Sequence, residues 1–237
     1  MVLLQRAEIM SQILHLPRRS FLLLAAQPVS LLAQSSSGLY DPQPPANAAY
    51  LRVLLPLRMS GHWQLEVDGK PRFSTLVSGE PSPYLVIGSG SHQISVKDSA
   101  GKQVVLHEFN ALPGRANTWA LSATDKRPTV FDDKTSSNKL KAQLSVYHLG
   151  KDVQIDVLTP DGQTKVFSQL VPGSISTLAV NPVQVELVAN AGGKPVSGRV
   201  AFDLVQGASY SLFLMPDAQG KFQLIGAINR VERYTGK

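Results

Sequence analysis

The chain is built of short segments with the apolar–polar alternation of half-buried β-strands. His92–Val96 alternates in this way, and Leu144, Val146 and His148 alternate with Gln143, Ser145 and Tyr147. No window keeps the apolar spacing of an α-helix for three turns. The pattern predicts strands at Ala49–Leu57, Trp63–Val67, Arg72–Leu76, Tyr84–Ile87, His92–Val96, Val104–Phe109 and Thr118–Ser122, then at Lys141–His148, Asp152–Leu158, Thr164–Leu170, Ser176–Ala179, Gln184–Ala189, Val200–Val205, Ser209–Met215 and Phe222–Ile228.

Turn signals separate these segments. Asp68-Gly69 predicts a tight hairpin turn, and Pro160-Asp161-Gly162 predicts another. About seven short strands with regularly spaced turns are typical of an antiparallel β-sandwich.

The two halves of the chain repeat one β-rich module. The copies run from about Tyr50 to Ala123 and from about Leu140 to Met215. Phe73, Gly79 and Trp119 recur, 94 positions later, as Phe167, Gly173 and Phe213. The fold class predicted is therefore all-β, with two tandem antiparallel β-sandwich domains related by internal duplication.

The N-terminus has the pattern of a secretory signal. Arg18 and Arg19 precede the mostly apolar run Phe21–Ala33, which is shorter than the ~20 residues of a membrane span. The arginine pair fits either a general secretory signal or a twin-arginine signal. The sequence contains no cysteine, so the exported chain has no disulfide and no thiolate metal site.

Composition divides the chain into five predicted regions. These are a signal peptide at 1–33, an extended Pro- and Ser-rich lead-in at 34–48, a first sandwich at 49–123, a polar linker at 124–139, and a second sandwich with a C-terminal tail at 140–237.

The net charge is modest once the leader is set aside. The whole chain carries +6, and the leader's three arginines and one glutamate account for +2 of this, which leaves +4. Scattered basic residues favour solubility, or a weak preference for an anionic partner such as a uronic-acid polymer. Nothing in the sequence indicates a nucleic-acid partner.

No catalytic, metal-binding or cofactor-binding constellation is predicted. The histidines are single, without zinc-site spacing, and Gly88-Ser89-Gly90 does not match the GxSxG turn of serine hydrolases. Ser89 and His92 are the only support for an acetyltransferase or esterase. The acidic pair Asp132-Asp133 is interpreted as part of the solvated linker.

Aromatic residues raise the alternative of carbohydrate binding, because aromatic rings stack on sugars. Trp63 and Trp119 are predicted in the cores, and Tyr84 and Tyr147 lie in predicted strands. Tyr40, in the lead-in, is the best candidate for surface recognition.

Two segments carry a resemblance to a known family. Gly38–Pro45 (GLYDPQPP) resembles the mature N-terminus of AlgF, the alginate O-acetylation protein, and Val180–Leu187 (VNPVQVEL) with Leu204–Tyr210 (LVQGASY) resembles its second half. The similarity spans nearly the whole mature chain, and an AlgF-like component of cellulose acetylation would look much the same.

The resemblance implies a non-catalytic accessory or adaptor protein in the Gram-negative periplasm. Its partners would be the periplasmic and membrane components of a polysaccharide O-acetyltransferase complex acting on alginate or cellulose. Leu39, Tyr40, Asp41 and Pro42 lie outside the repeat, in an extended segment that loses little entropy on binding, and are predicted to form a docking segment. The alternative is a periplasmic carbohydrate-binding module that holds the polysaccharide.

Overall fold

The computed structural model describes residues 43–59, 61–121 and 127–235. The predicted signal peptide 1–33 and the predicted docking residues Leu39, Tyr40, Asp41 and Pro42 lie outside the described residues. The regular structure of the described residues is all β, which confirms the predicted class. Within the same residues there is no helix long and apolar enough to cross a membrane.

The first half contains eight strands: β1 Ala49–Leu54, β2 Trp63–Val67, β3 Lys70–Leu76, β4 Leu85–Ile87, β5 Gly90–Asp98, β6 Gln103–Ala111, β7 Ala116–Ala120 and β8 Thr129–Asp133. The second half contains eight more: β9 Ala142–His148, β10 Ile155–Leu158, β11 Lys165–Leu170, β12 Ile175–Val180, β13 Val183–Ala191, β14 Lys194–Leu204, β15 Ser209–Pro216 and β16 Phe222–Ile228.

The strands form four sheets that pair into two sandwiches. Sheet I has the order β4-β1-β7-β8 and packs on sheet II, β3-β2-β5-β6; sheet III, β12-β9-β15-β16, packs on sheet IV, β11-β10-β13-β14. The strand order of the second sandwich is that of the first shifted by eight strands, which confirms the duplication. Most neighbours are antiparallel, but β1 pairs with β7 and β9 pairs with β15 in parallel.

Local sequence explains the hairpins. Asp68 and Gly69 both have positive φ, 53° and 71°, which suits the two-residue turn that joins β2 to β3. The alternation within β5 buries Ile94 and Val96 completely between the sheets of the first sandwich. The equivalent β13 has the same sequence of buried and exposed positions.

The predicted linker 124–139 needs a correction. Residues Thr129–Asp133 form strand β8, which pairs with β7 at the edge of sheet I. Phe131 and Asp133 are buried and Asp132 between them is exposed, so the segment does alternate. The strand was missed because Asp132 and Asp133 made the segment polar. Composition does not distinguish a buried aspartate from a solvated one.

The predicted repeat offset of 94 holds for Phe73 and Phe167, which pair with the equivalent residues Leu65 and Val157, but it needs a correction at Trp119. Trp119 lies in the first sandwich core, whereas Phe213 points to the opposite side of its sheet. A shift of 93 matches Thr118 with Ser211 and Ala120 with Phe213, and it keeps the faces aligned. Because side chains alternate between faces, an offset wrong by one residue exchanges the two faces of a strand.

The C-terminal tail returns to the first sandwich. The Tyr84 N–H donates to the carbonyl of Arg230 at 2.7 Å, and the Glu232 N–H donates to the carbonyl of Tyr84 at 2.9 Å. The Glu232 carboxylate also accepts the Val86 N–H at 2.8 Å and pairs with Arg72. The tail predicted as part of the second sandwich therefore also binds beside β4 of the first.

Candidate functional site

A buried polar cluster lies where the outer face of sheet I meets the outer face of sheet III. Apolar residues surround it: Leu54, Ala120, Phe131, Tyr147, Phe213 and Met215 form one hydrophobic cluster drawn from both sandwiches. The Tyr147 ring stacks on Phe213 with centroids 4.7 Å apart and meets Phe131 edge-on at 5.3 Å. The central strands of these sheets are thus covered on both faces, which suits their nearly continuous burial.

Arg52 is the centre of this polar cluster. It is the polar residue of an otherwise apolar stretch of β1, and it is 1% exposed. Its Nε donates to Thr118 Oγ1 at 2.7 Å and its Nη1 donates to Asn229 Oδ1 at 2.8 Å. Its Nη2 donates to the Tyr147 hydroxyl at 2.7 Å and to Ser211 Oγ at 2.9 Å. One side chain of the first sandwich therefore bonds three residues of the second.

Aromatic rings pack around the guanidinium. The Arg52 Cζ lies 4.6 Å from the ring centroid of Tyr84, 5.2 Å from that of Tyr147 and 5.1 Å from that of Phe213. Such contacts are worth about 2 kcal/mol or more when they are desolvated.

Asp133 supplies the opposite charge and is also buried, at 8% exposed. Its Oδ2 accepts hydrogen bonds from the Tyr84 hydroxyl at 2.7 Å and from Thr118 Oγ1 at 2.6 Å. Its Oδ1 accepts from the Tyr147 hydroxyl at 2.8 Å. Thr118 and Tyr147 thus bridge the guanidinium to the carboxylate.

The pKa of the Asp133 carboxyl is raised by burial, while the Arg52 charge and the three hydroxyl donors act to lower it. Burial likewise raises the pKa of Tyr84 and of Tyr147. The interpretation of the acidic pair as solvated therefore fails for Asp133. It holds for Asp132, which is exposed and pairs with Arg115 at 3.2 Å.

This polar cluster connects the two sandwiches, and we call it the joint. Its members are Arg52, Tyr84, Thr118, Asp133, Tyr147, Ser211 and Asn229. Asp133 accepts three hydrogen bonds and Arg52 uses four of its five N–H groups, and every one of these bonds is made within the cluster. In the described ranges, no group of acidic, histidine or cysteine residues could hold a metal ion.

The serine–histidine hypothesis gains no support from the geometry of His92. Its Nδ1 faces Asp68 Oδ2 at 2.7 Å, and its Nε2 faces the carbonyl oxygen of Gly88 at 2.9 Å. Both ring nitrogens are therefore committed to acceptors, and neither is available to take a proton from Ser89.

The aromatic candidates are mostly buried. Trp119 is 0% exposed, Trp63 packs against the first core, and Tyr84 and Tyr147 belong to the buried joint. Trp119, Tyr84 and Tyr147 therefore offer no open face for sugar stacking, and Trp63 is half-buried. Tyr40 lies outside the described residues.

A cavity of about 410 Å³ opens at one end of the joint. It lies where β1, β7, β9 and β15 all reach their C-terminal ends. Its apolar surface includes Leu54, Leu55, Ala120, Leu149 and Met215, and its basic residues are Arg58, Arg127 and Lys151. We call this site the inter-sandwich cavity.

His148 shapes one wall of the inter-sandwich cavity. It is 0% exposed; its Nδ1 accepts the Gly150 N–H at 3.0 Å and its Nε2 donates to the carbonyl of Val153 at 2.9 Å. Burial lowers the pKa of His148, although the bond to Val153 opposes that shift. The ring of Phe222 packs so closely on Gly150 that a Cβ there would lie 2.2 Å from it. These contacts fix the loop that presents Lys151.

The sequence missed both the joint and the cavity. A charged residue inside the apolar run of β1 was the available signal for Arg52, since a strand buried on both faces tolerates a charge only when it is paired. No comparable signal marked the cavity, which is formed by loops far apart in the chain.

The fold and the joint define a class of protein: two β-sandwiches related by duplication and joined by a buried, hydrogen-bonded arginine–aspartate cluster. Comparison with known proteins supplies the family. The family model described as "Alginate O-acetyl transferase AlgF" matches residues 22–211, and the chain belongs to this family.

The chain is also similar to individual proteins and solved structures. The chain is 27% identical, over 184 residues, to the alginate biosynthesis protein AlgF of Pseudomonas aeruginosa, covering 77% of this chain and 80% of that protein. It is also similar to the structure of the C-terminal domain of AlgF from P. aeruginosa, with 28% identity, a TM-score of 0.35, and coverage of 38% of this chain and 100% of that one. The structure of a CBM26 module from Eubacterium rectale in complex with maltoheptaose matches at 11% identity and a TM-score of 0.25, over 80% of this chain and 100% of that one.

Proposed function

We propose that this protein is a non-catalytic adaptor for the O-acetylation of an exopolysaccharide, acting in the periplasm. Membership of the AlgF family supports the acetylation role. The observation that carries the adaptor role is the joint. Its buried charged side chains, Arg52 and Asp133, hold the two sandwiches together, and their hydrogen bonds are made to other residues of the joint. Such a scaffold offers surfaces to other proteins.

The chemistry of acetyl transfer supports an adaptor over an enzyme. Acyl transfer through a covalent intermediate needs a nucleophile within hydrogen-bond reach of a base. His92 has both ring nitrogens engaged by Asp68 and Gly88, and His148 has both engaged by Gly150 and Val153. The catalytic step then belongs to partners, namely the periplasmic and membrane components of the acetyltransferase complex.

Polymer identity and partner contact are part of the same proposal. Alginate is the first candidate, because alginate biosynthesis is named for the curated relative, and cellulose is the second. Leu39, Tyr40, Asp41 and Pro42 are proposed as a docking segment for a partner. The carbohydrate-binding alternative is weaker because of where its candidate rings lie. Trp119 lies in the first core, Trp63 packs against that core, and Tyr84 and Tyr147 belong to the joint.

The experiment is a gene deletion with complementation, in which the amount of exopolysaccharide and its acetyl content are measured separately. The adaptor proposal expects normal polymer with little or no acetyl, restored by the intact gene. Loss of the polymer itself would contradict it, because an adaptor of acetylation is not needed for polymerisation.

A further inference from the structure

The inter-sandwich cavity has the features of a binding site and is separate from the polar residues of the joint. Its volume of about 410 Å³ lies within the range of ligand sites, and the carboxyl ends of four central strands form it. Leu54, Leu55, Ala120, Leu149 and Met215 supply an aliphatic lining. A concave aliphatic surface of this kind gains from removing an apolar side chain from water.

Basic residues surround this lining. Arg58 follows β1 and Lys151 follows β9; they stand 93 positions apart and so are equivalent in the repeat. Both are exposed, and neither makes an ion pair within the described residues. Arg127 adds a third positive charge, and no aspartate or glutamate is among the described lining residues. Like charges around a low-dielectric recess attract a ligand of opposite charge.

The lining favours a protein segment over a sugar chain. Sugar recognition relies on open aromatic faces, and the aromatic residue of this lining, Phe222, packs edge-on to His148 and tightly against Gly150. Aliphatic walls instead complement a leucine-like side chain. The positive charges complement carboxylates beside it.

We propose that the inter-sandwich cavity binds an acidic segment of a partner protein, in which an apolar side chain enters the aliphatic recess and flanking carboxylates pair with Arg58 and Lys151. This inference rests on the proposed adaptor function, since it gives the adaptor one partner-binding site. It is separate from the proposed docking segment at Leu39–Pro42. Rim charges of this type mainly set the association rate and its salt dependence.

The test in cells uses charge reversal in the full chain. Arg58→Glu with Lys151→Glu inverts the rim, and Lys102→Glu with Lys194→Glu is the control, because it changes the net charge equally on exposed hairpin turns of the two sandwiches. We expect the rim variant to restore less than a tenth of the polymer acetylation in a deletion strain, and the control to restore all of it. Immunoblots of the periplasmic fraction verify equal amounts of protein, and thermal melting of the purified variants verifies that they fold.

The outcomes separate the two proposals. If deletion leaves acetylation unchanged, the adaptor function itself fails. If deletion removes acetylation and the rim variant restores it fully, the cavity proposal fails and the adaptor function stands.

The binding test uses a defined peptide in place of the unidentified partner. The exported chain is titrated by NMR with acetyl-Glu-Leu-Leu-Glu amide and with the matched acetyl-Gln-Leu-Leu-Gln amide. We expect the acidic peptide to shift signals of Leu149 and Met215, to weaken with added salt, and to lose about tenfold in affinity with the rim variant. Equal binding of both peptides, or rim-dependent binding of oligouronate without binding of the acidic peptide, would overturn the proposal.

Discussion

Replacing Asp133 with asparagine removes the negative charge that faces the buried guanidinium of Arg52. The three hydroxyls that donate to Asp133 would meet one amide oxygen and one amide nitrogen, and the nitrogen lies where Oδ2 now accepts from both Tyr84 and Thr118. Breaking a buried pair by removing one partner costs about 3–5 kcal/mol, because the other charge is left uncompensated. At about 2–4 °C per kcal/mol for a chain of this size, the melting temperature should fall by roughly 6–20 °C.

The measurement is urea unfolding of the exported chain at pH 7, with Asp132→Asn as the matched control. Asp132 is the neighbouring carboxylate on the exposed side of β8, so its loss should change the free energy of unfolding by less than about 1 kcal/mol. Arg52→Met and the double variant Arg52→Met/Asp133→Asn complete a cycle. The double variant should cost at least about 2 kcal/mol less than the sum of the single ones, because the two charges depend on each other.

Two results would refute this reasoning. If Asp133→Asn unfolds like the parent, the carboxyl is neutral in the fold, where an amide replaces it at little cost. If the two single variants add without coupling, Arg52 and Asp133 do not act as one cluster.

Three further predictions address the tail, the cavity wall and the lead-in. Glu232→Ala should lower the free energy of unfolding by about 1–3 kcal/mol, because the Val86 N–H loses its acceptor and Arg72 loses its ion-pair partner; an unchanged urea midpoint would mean that the Glu232 carboxylate adds nothing to stability. The His148 ring should titrate, by NMR, below its usual 6.5, so that its contribution to stability falls as the pH drops below 6.5; a midpoint at or above 6.5 would contradict the buried neutral ring. Tyr40→Ala should leave the melting temperature unchanged and weaken co-purification with acetylation partners, and a sharp loss of thermal stability with intact co-purification would show that Tyr40 belongs to a core.

Local patterning predicted much of the fold. The alternation in β5 and the Asp68-Gly69 turn depend on neighbouring residues alone, and both occur in the structure as predicted. The duplication was visible for the same reason, because equivalent strands carry similar patterns. At β7 and β15 the register of the repeat was wrong by one residue, since Trp119 and Phe213 look alike in sequence but face opposite sides of their sheets.

The joint could not be derived in the same way. Arg52 lies in the first strand of the first sandwich and Asp133 lies in its last strand. Tyr147, which bonds both of them, belongs to the second sandwich. Periodicity treats β8 as polar, because it cannot tell a carboxylate that receives three hydroxyl bonds from one that faces water. Only the packing of sheet I on sheet III distinguishes them.

The central claim is that this chain is needed for acetylation but does not perform the chemistry. The most direct measurement is NMR of the acetyl content of exopolysaccharide from three strains. One is the deletion strain without complementation, one carries the intact gene, and one carries the gene for the variant Ser89→Ala/His92→Ala. The account predicts polymer in all three strains, acetyl absent in the first and equal in the other two. Acetylation that persists without the gene, or that disappears with the Ser89→Ala/His92→Ala variant, would contradict it.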